Sequence, residues 1–268
     1  MPNPLKEKWN AGIPTINGWC SIGNSFTAEI MASQGFDSVS VDAQHGALDY
    51  SAALPMIQAI DGKGMLPMAR VPWREPGIIM KMLDAGAMGI ICPMINTRAE
   101  AEEFVSYMRY PPLGQRSFGP TRVGFGRPGY NVKDANADVL ALAMIETASG
   151  VANLDEIAAT PGLDGLYVGP ADLTLGVTNG RLGPGFDRSE EEMVDVIKRI
   201  AAAAKANGIG AVLHCGTPDY AAKAIGWGYN MVTVSGDVRL LAAAAADTVS
   251  RFRDLTGASG SSGEKGAY

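Results

Sequence analysis

Three cysteines and two histidines are all that this 268-residue chain contains of the thiol and imidazole side chains that build disulfides and structural zinc sites. Cys20, Cys92 and Cys215 lie far apart, their number is odd, and no C-x-x-C occurs. This argues against a disulfide framework or a structural zinc site and for a reducing, cytoplasmic setting. Basic charge is scarce as well. Lys and Arg total 22 against 28 Asp and Glu, a net charge of −6, with no basic block. Nucleic acid and anionic membrane are poor partners on that ground. No apolar run is long enough to span a bilayer. The opening MPNPLKEKWN has no apolar h-region, so no secretion signal is expected.

Several motifs are missing too. No G-x-G-x-x-G follows the first strand pattern, and no G-x-x-x-x-G-K-[ST] occurs, which argues against nucleotide folds. No G-x-S-x-G occurs, which argues against a Ser-His-Asp hydrolase. A Schiff-base aldolase needs a partly buried lysine facing its active site, and every lysine falls outside the expected strand ends.

What is present is an alternation of short apolar runs with longer helical patterns. Eight strands are expected to start near Thr15, Asp37, Met65, Gly89, Leu140, Gly165, Ile209 and Met231. The runs are bounded by Gly or Pro, as in strands buried on both faces. Helices are expected at Ser25–Gln34, Tyr50–Ile60, Pro76–Leu83, Thr97–Arg109, Val151–Ala159, Ser189–Asn207, Pro218–Ile225 and Val238–Thr256. Thr97 with Glu100, and Ser189 before three glutamates, mark helix starts. The longer gaps hold inserted loops, Tyr110–Asp138 and Leu173–Arg188. Eight βα units in about 250 residues favour a (β/α)8 TIM barrel over a doubly wound sheet. The barrel is expected to occupy residues 1–256. Residues 257–268, GASGSSGEKGAY, read as a flexible tail.

A parallel barrel carries its chemistry where strands end. That rule selects Asp42 to His45, Arg70, Glu146, Gly169 to Asp172, His214 and Ser235 to Asp237. Glu146 and Asp172 end adjacent strands, a pairing that suits a hard cation such as Mg²⁺ or Mn²⁺. His45, just beyond the second strand and close to Asp42, is placed as a general base. Arg70 offers a permanent charge to a carboxylate or an oxyanion. His214 has the same strand-end position, either as a satisfied rim residue or as a partner behind an acting group. Asp84, from position alone, is a helix-end acid. Asp237 in SGD argues against a phosphate cup after the last strands.

Together VDAQHG (Val41–Gly46), P-x-A-R-V (Pro67–Val71), YPPLGQRSFGP (Tyr110–Pro120), IET (Ile145–Thr147) and GPADL (Gly169–Leu173) resemble the metal-dependent class II pyruvate aldolases of the HpcH/HpaI aldolase family. The similarity runs to about Thr256. It implies a modified barrel of the phosphoenolpyruvate/pyruvate type. It also implies a homohexamer built as a trimer of dimers, with the last helix exchanged between partners. Carried over, it makes His45 the proton acceptor, Arg70 the stabiliser at the keto oxygen, and Glu146 and Asp172 the metal ligands. The backbone N–H groups of Ala171 and Asp172 become the donor-carboxylate cradle, and Asp84 the acid that raises the basicity of the histidine. The implied cofactor is Mg²⁺ or Mn²⁺, with Co²⁺ as a further candidate. The implied reaction joins pyruvate, or a relative such as hydroxypyruvate, to an aldehyde through an enolate.

Two positions depart from the family pattern. Gln44 stands where Glu is common, and Met144 where Gln is common, which leaves the donor open. The Phe118–Asp138 segment is expected to shape the aldehyde side. Two other readings remain: an acyl-CoA lyase of the citrate-lyase-like branch, and a non-catalytic keto-acid-binding barrel. The first calls for a basic, aromatic nucleotide groove, which the sequence does not clearly show.

Overall fold

The structure, a computed structural model, describes residues 3–257. Apart from Gly257, the expected tail lies outside the described residues. Eight parallel strands close into a barrel in chain order. They are β1 (Thr15–Cys20), β2 (Ser38–Asp42), β3 (Leu66–Arg70), β4 (Gly89–Cys92), β5 (Leu140–Ile145), β6 (Gly165–Val168), β7 (Gly210–Cys215) and β8 (Met231–Val234). Each begins within one residue of its expected start. Among the described residues no helix is long and apolar enough to cross a membrane.

Side chains alternate along each strand, and this sorts the core into two shells. Val39, Val41, Ala69, Ile90, Ala141, Ala143, Leu166 and Leu213 point outward against the helices. Met68, Ile91, Leu142, Tyr167, Val212 and Met231 fill the interior. The inward rows then turn polar toward the C-terminal ends. Counting by twos reaches Asp42 after Ser38 and Ser40, Arg70 after Met68, Glu146 after Met144 and His214 after Val212. The same alternation that packs the core therefore delivers acid, cation and imidazole to one rim.

Outside the Tyr110–Asp138 insertion, the helices differ from expectation in three places. A short helix, Pro4–Asn10, precedes β1. Asn3 caps it by accepting from the Leu5 N–H at 3.0 Å, and Leu5 and Trp9 close the lower end of the barrel. A Cβ on Gly210 would lie 2.5 Å from the Trp9 ring, so glycine lets the indole seat there. The expected Val151–Ala159 helix is two pieces, Ala148–Ala152 and Leu154–Ala158. Thr147 starts the first by accepting from the Gly150 N–H, and Asn153 leaves helical geometry to donate to the Asn96 carbonyl. Finally, the loop after β6 opens with a helix, Pro170–Val177.

The Tyr110–Asp138 insertion folds as helices Thr121–Gly126 and Val132–Asp138. Phe118–Asp138 does not line the cavity at the C-terminal rim of its own barrel, contrary to expectation. Its arginines bind elsewhere: Arg122 to Asp61 (2.7 Å) and the Ala85 carbonyl (2.9 Å), and Arg127 to the Gly86 carbonyl (2.9 Å). Those bonds fasten the segment to the helices Tyr50–Gly62 and Pro76–Ala85.

Candidate active site

A cavity of about 460 Å³ opens at the C-terminal end of the barrel. His45, Arg70, Glu146, Asp172 and His214 all line it, as does the peptide of Ala171. A second cleft, about 540 Å³, lies at the opposite face around Trp9 and Asn230. Its acid, Asp164, is already paired with Lys6 and Arg109, each at 2.7 Å.

Asp42 and Arg70 are partners in the β2–β3 register. Arg70 Nε donates to Asp42 Oδ1 at 2.8 Å and Nη2 to Oδ2 at 2.7 Å, a two-pronged pairing in a nearly dry setting. The Arg70 guanidinium also lies 4.9 Å from the Trp19 ring centroid. Burial works to raise the Asp42 carboxyl, but Arg70 and the Gln44 and His45 N–H groups hold it below the usual range. Burial likewise works against the Arg70 charge, and Asp42 more than restores it. The anchoring role of Asp42 was missed in the sequence, although it is the inward residue facing Arg70.

Glu146 and Asp172 come from the ends of β5 and β6. Glu146 Oε1 accepts from the Met94 N–H at 2.8 Å. Met94 has φ 58°, a strained conformation for a non-glycine residue, and it directs that N–H at the carboxylate. Oε2 has no hydrogen bond among the described residues. It faces bare backbone, where a Cβ on Gly169 would come within 2.6 Å. Burial pushes the Glu146 carboxyl up to about 7; the Met94 N–H and Arg70 oppose the rise, and Asp172 adds to it.

This donor set fits a hard divalent cation. It offers two carboxylates, one with an open oxygen, and among the described residues no cluster of three His, Cys, Asp or Glu. Such a pair leaves coordination positions for water and substrate, as Mg²⁺ and Mn²⁺ require. Beside it, Pro170 opens the Pro170–Val177 helix with no side-chain cap. The Ala171 and Asp172 N–H groups stand in its unpaired first turn, as an anion site requires.

His45 reaches the cavity from the loop after β2, its side chain exposed and its N–H bonded to Asp42 Oδ1 at 3.3 Å. Asp84 does not line this cavity. It sits near the end of the Pro76–Ala85 helix, where its Oδ1 accepts from Arg116 Nη2 at 2.7 Å. Within one chain the expected His45–Asp84 pairing is therefore absent. Met144 lines the cavity, whereas Gln44 is not among its lining residues and has its Oε1 buried and unpartnered among the described residues. Trp19 and Phe186 are further lining residues that strand-end reasoning did not select.

A family model described as HpcH/HpaI aldolase/citrate lyase matches residues 18–244. The chain belongs to this family. A hydroxypyruvate/pyruvate aldolase from Rhizorhabdus wittichii is 38% identical over 253 residues, covering 94% of this chain and 100% of the relative. A 5-keto-4-deoxy-D-glucarate aldolase from Shigella dysenteriae is 32% identical, covering 94% of this chain and 98% of that one. Among solved structures, an HpcH/HpaI aldolase/citrate lyase family protein from Burkholderia cenocepacia superposes with a TM-score of 0.86 at 32% identity, covering 94% of this chain and 99% of the other.

Proposed function

We propose that the chain is a divalent-metal-dependent aldolase, a lyase that reversibly joins pyruvate or hydroxypyruvate to an aldehyde. The observation that carries this is the convergence of Glu146, Asp172, Arg70 and His45 on one cavity. The kinship with two aldolases along almost the whole chain supports it.

Glu146 and Asp172 would hold the cation. When bound, it polarises the carbonyl of the keto acid and acidifies the C3 hydrogens. The Ala171 and Asp172 N–H groups take the donor carboxylate. His45 removes a C3 proton, since an imidazole serves as base near neutral pH. The Arg70 guanidinium, fixed by Asp42, bears on the oxygen that gains charge as the enolate forms. A preorganised donor of this kind stabilises the transition state without reorganising. The nucleophilic carbon then adds to the aldehyde carbonyl, the proton held by His45 returns to the new alkoxide oxygen, and cleavage retraces the path.

The test is deuterium uptake at C3 of pyruvate and hydroxypyruvate in D2O, with and without Mg²⁺ or Mn²⁺. Metal-stimulated exchange that disappears in His45→Ala is the expected result. His45→Ala should still bind metal, because the ligands are elsewhere. Full aldol activity after exhaustive chelation would sink the metal-dependent assignment. Association of copies belongs to the same reading, because the Asp237–Thr256 helix leaves Leu241, Phe252 and Leu255 exposed.

A further inference from the structure

His214 lines the cavity, and this mechanism gives it no work. Its ring is held on three sides. Phe186 stacks on it, with centroids 4.9 Å apart and planes 27° apart, and Trp19 meets it edge-on at 4.9 Å. The Tyr167 hydroxyl lies 3.0 Å from Nδ1. Phe186 reaches this position because Gly216, after β7, has no side chain. A Cβ there would lie 3.2 Å from Phe186 Cβ and 3.1 Å from Asp187 Oδ2. Asp187 ties the loop down through the Gly216 N–H at 2.7 Å and the Thr217 hydroxyl at 2.7 Å.

A polar relay through the barrel interior sets the tautomer. The Ser38 and Ser40 hydroxyls donate to Asn17 Oδ1 at 2.8 and 3.1 Å, so the Asn17 amide turns its Nδ2 to Thr233 Oγ1 at 3.0 Å. Tyr167 also donates to Thr233 Oγ1, at 2.9 Å. Its single proton is then committed, and toward His214 it can only accept. With the Tyr167 proton directed to Thr233, Nδ1 carries the ring proton and Nε2 presents a bare lone pair. Among the described residues Nε2 has no hydrogen-bond partner, and the residue lines the cavity. Burial and the Arg70 charge push the imidazole down to about 3, so it stays neutral at working pH. His214 and Arg70 both pack on Trp19, so the imidazole stands near the guanidinium.

We infer that His214 is a specificity-determining residue whose Nε2 accepts a hydrogen bond from a substrate hydroxyl adjacent to the bond being made or broken. This rests on the aldolase reading above. A hydroxyl can come from either side: from C3 of hydroxypyruvate as donor, or from the α-carbon of the aldehyde. A site built around an acceptor of this kind disfavours the analogue that lacks the hydroxyl, because its own polar group is then left unpaired.

The experiment compares wild type with His214→Phe, which keeps an aromatic ring for the stack and removes the nitrogen. Two ratios are read. One is the metal-dependent C3 exchange rate of hydroxypyruvate over that of pyruvate, corrected for the enzyme-free rate. The other is kcat/KM for glycolaldehyde over acetaldehyde with pyruvate as donor. Taking each ratio in variant over wild type cancels the intrinsic reactivity of the substrates. We expect at least one ratio to fall by about tenfold, the scale of one lost hydrogen bond in a buried site. A fall in the first assigns the donor hydroxyl; a fall in the second assigns the aldehyde hydroxyl. If neither moves, the inference is overturned. Ring ¹⁵N shifts of His214 supply a readout independent of turnover. A neutral Nδ1–H tautomer is expected, with the preference weakened in Tyr167→Phe, and a protonated Nε2 at neutral pH overturns the acceptor role. Failure of the aldolase reading is separately visible, as wild type would then show neither exchange nor aldol product while the ¹⁵N shifts still report the tautomer.

Discussion

Asp42 and Arg70 occupy one rung of the β2–β3 ladder, and the carboxylate grips the guanidinium through two hydrogen bonds of 2.8 and 2.7 Å. Parallel pairing places equivalent inward residues side by side, so the contact follows from register. Four further donors converge on the same carboxylate: the Trp19 indole N–H, the Ser21 hydroxyl and the Gln44 and His45 N–H groups. The arginine thus arrives at the cavity already aimed, and Asp42 also shapes the turn that carries His45.

Arg70→Ala should lower kcat by roughly 10²-fold, the range for a lost oxyanion donor. Arg70→Lys should recover only part of it, because a point charge cannot make the two-pronged bond. Asp42→Ala strands a buried cation and should cost about 3–5 kcal/mol in urea unfolding. A near-normal kcat in Arg70→Ala would reduce the arginine to a structural ion-pair partner.

As a proposed cation ligand, Glu146 would link metal binding to pH. Its carboxyl rises from an ordinary 4.5 to about 7, chiefly through burial. The folded state therefore prefers the proton. Its stability is fully expressed below about 4.5 and is lost as the pH climbs through about 7. The full change amounts to roughly 3 kcal/mol. Metal-free protein should lose thermal stability between pH 5 and 8, and Glu146→Gln should flatten that loss. Cation binding must expel the same proton, so its affinity should rise with pH across the interval. Calorimetry in buffers of differing ionisation enthalpy measures the proton released. Affinity independent of pH would remove Glu146 from the ligand set.

Gly169 is needed for space. Its φ of −97° suits any residue, but a Cβ would lie 2.6 Å from Glu146 Oε2 and 2.5 Å from Met144 Cε. The methionine end can swing aside; the carboxylate can yield only by leaving its position. Gly169→Ala should fold and yet bind Mg²⁺ or Mn²⁺ about tenfold more weakly, a cost typical of disturbed ligand support. Adding Met144→Ala should not restore affinity, because the clash with Glu146 remains. Rescue by that second change would place the strain on the methionine instead.

The barrel was legible because its signal is repetitive. Eight apolar runs bounded by Gly or Pro recur with helical spacers, and the strand-end rule then picks out Arg70, Glu146, Asp172 and His214 without knowledge of side-chain contacts. What escaped depends on register and on close approach. Asp42 looked like a neighbour of His45, yet its two bonds to Arg70 join residues 28 positions apart. Phe186 lies in an insertion with no periodicity, and the bonds of Asp187 and the room left by Gly216 set it over His214. The Pro4–Asn10 helix carries Lys-Glu-Lys in its middle and buries just Leu5 and Trp9, too few apolar positions to show a period. Asp84 was assigned by resemblance, and its bond to Arg116 depends on an insertion whose path no local pattern reveals.

The Asp237–Thr256 helix has one buried residue, Asp237 itself. That carboxylate accepts from the Ser21, Ile22 and Val238 N–H groups at 2.9, 3.1 and 2.8 Å, so the helix is pinned at its first residue. Beyond it, Leu241, Phe252 and Leu255 are 64%, 64% and 80% exposed. At about 100° per residue these three fall on one side of the helix. Large apolar side chains aligned along 20 residues with nothing beneath them among the described residues call for a partner surface, and a second copy of the chain would provide one in a symmetric assembly. Light scattering at micromolar concentration should therefore report an oligomer, and its melting temperature should rise with protein concentration. Leu241→Glu combined with Phe252→Glu should lower the mass toward that of one chain. The barrel itself should stay folded, because both side chains contribute little to its own core. A wild-type protein that is monomeric at these concentrations would leave the exposed face unexplained and remove the assembly from the proposal.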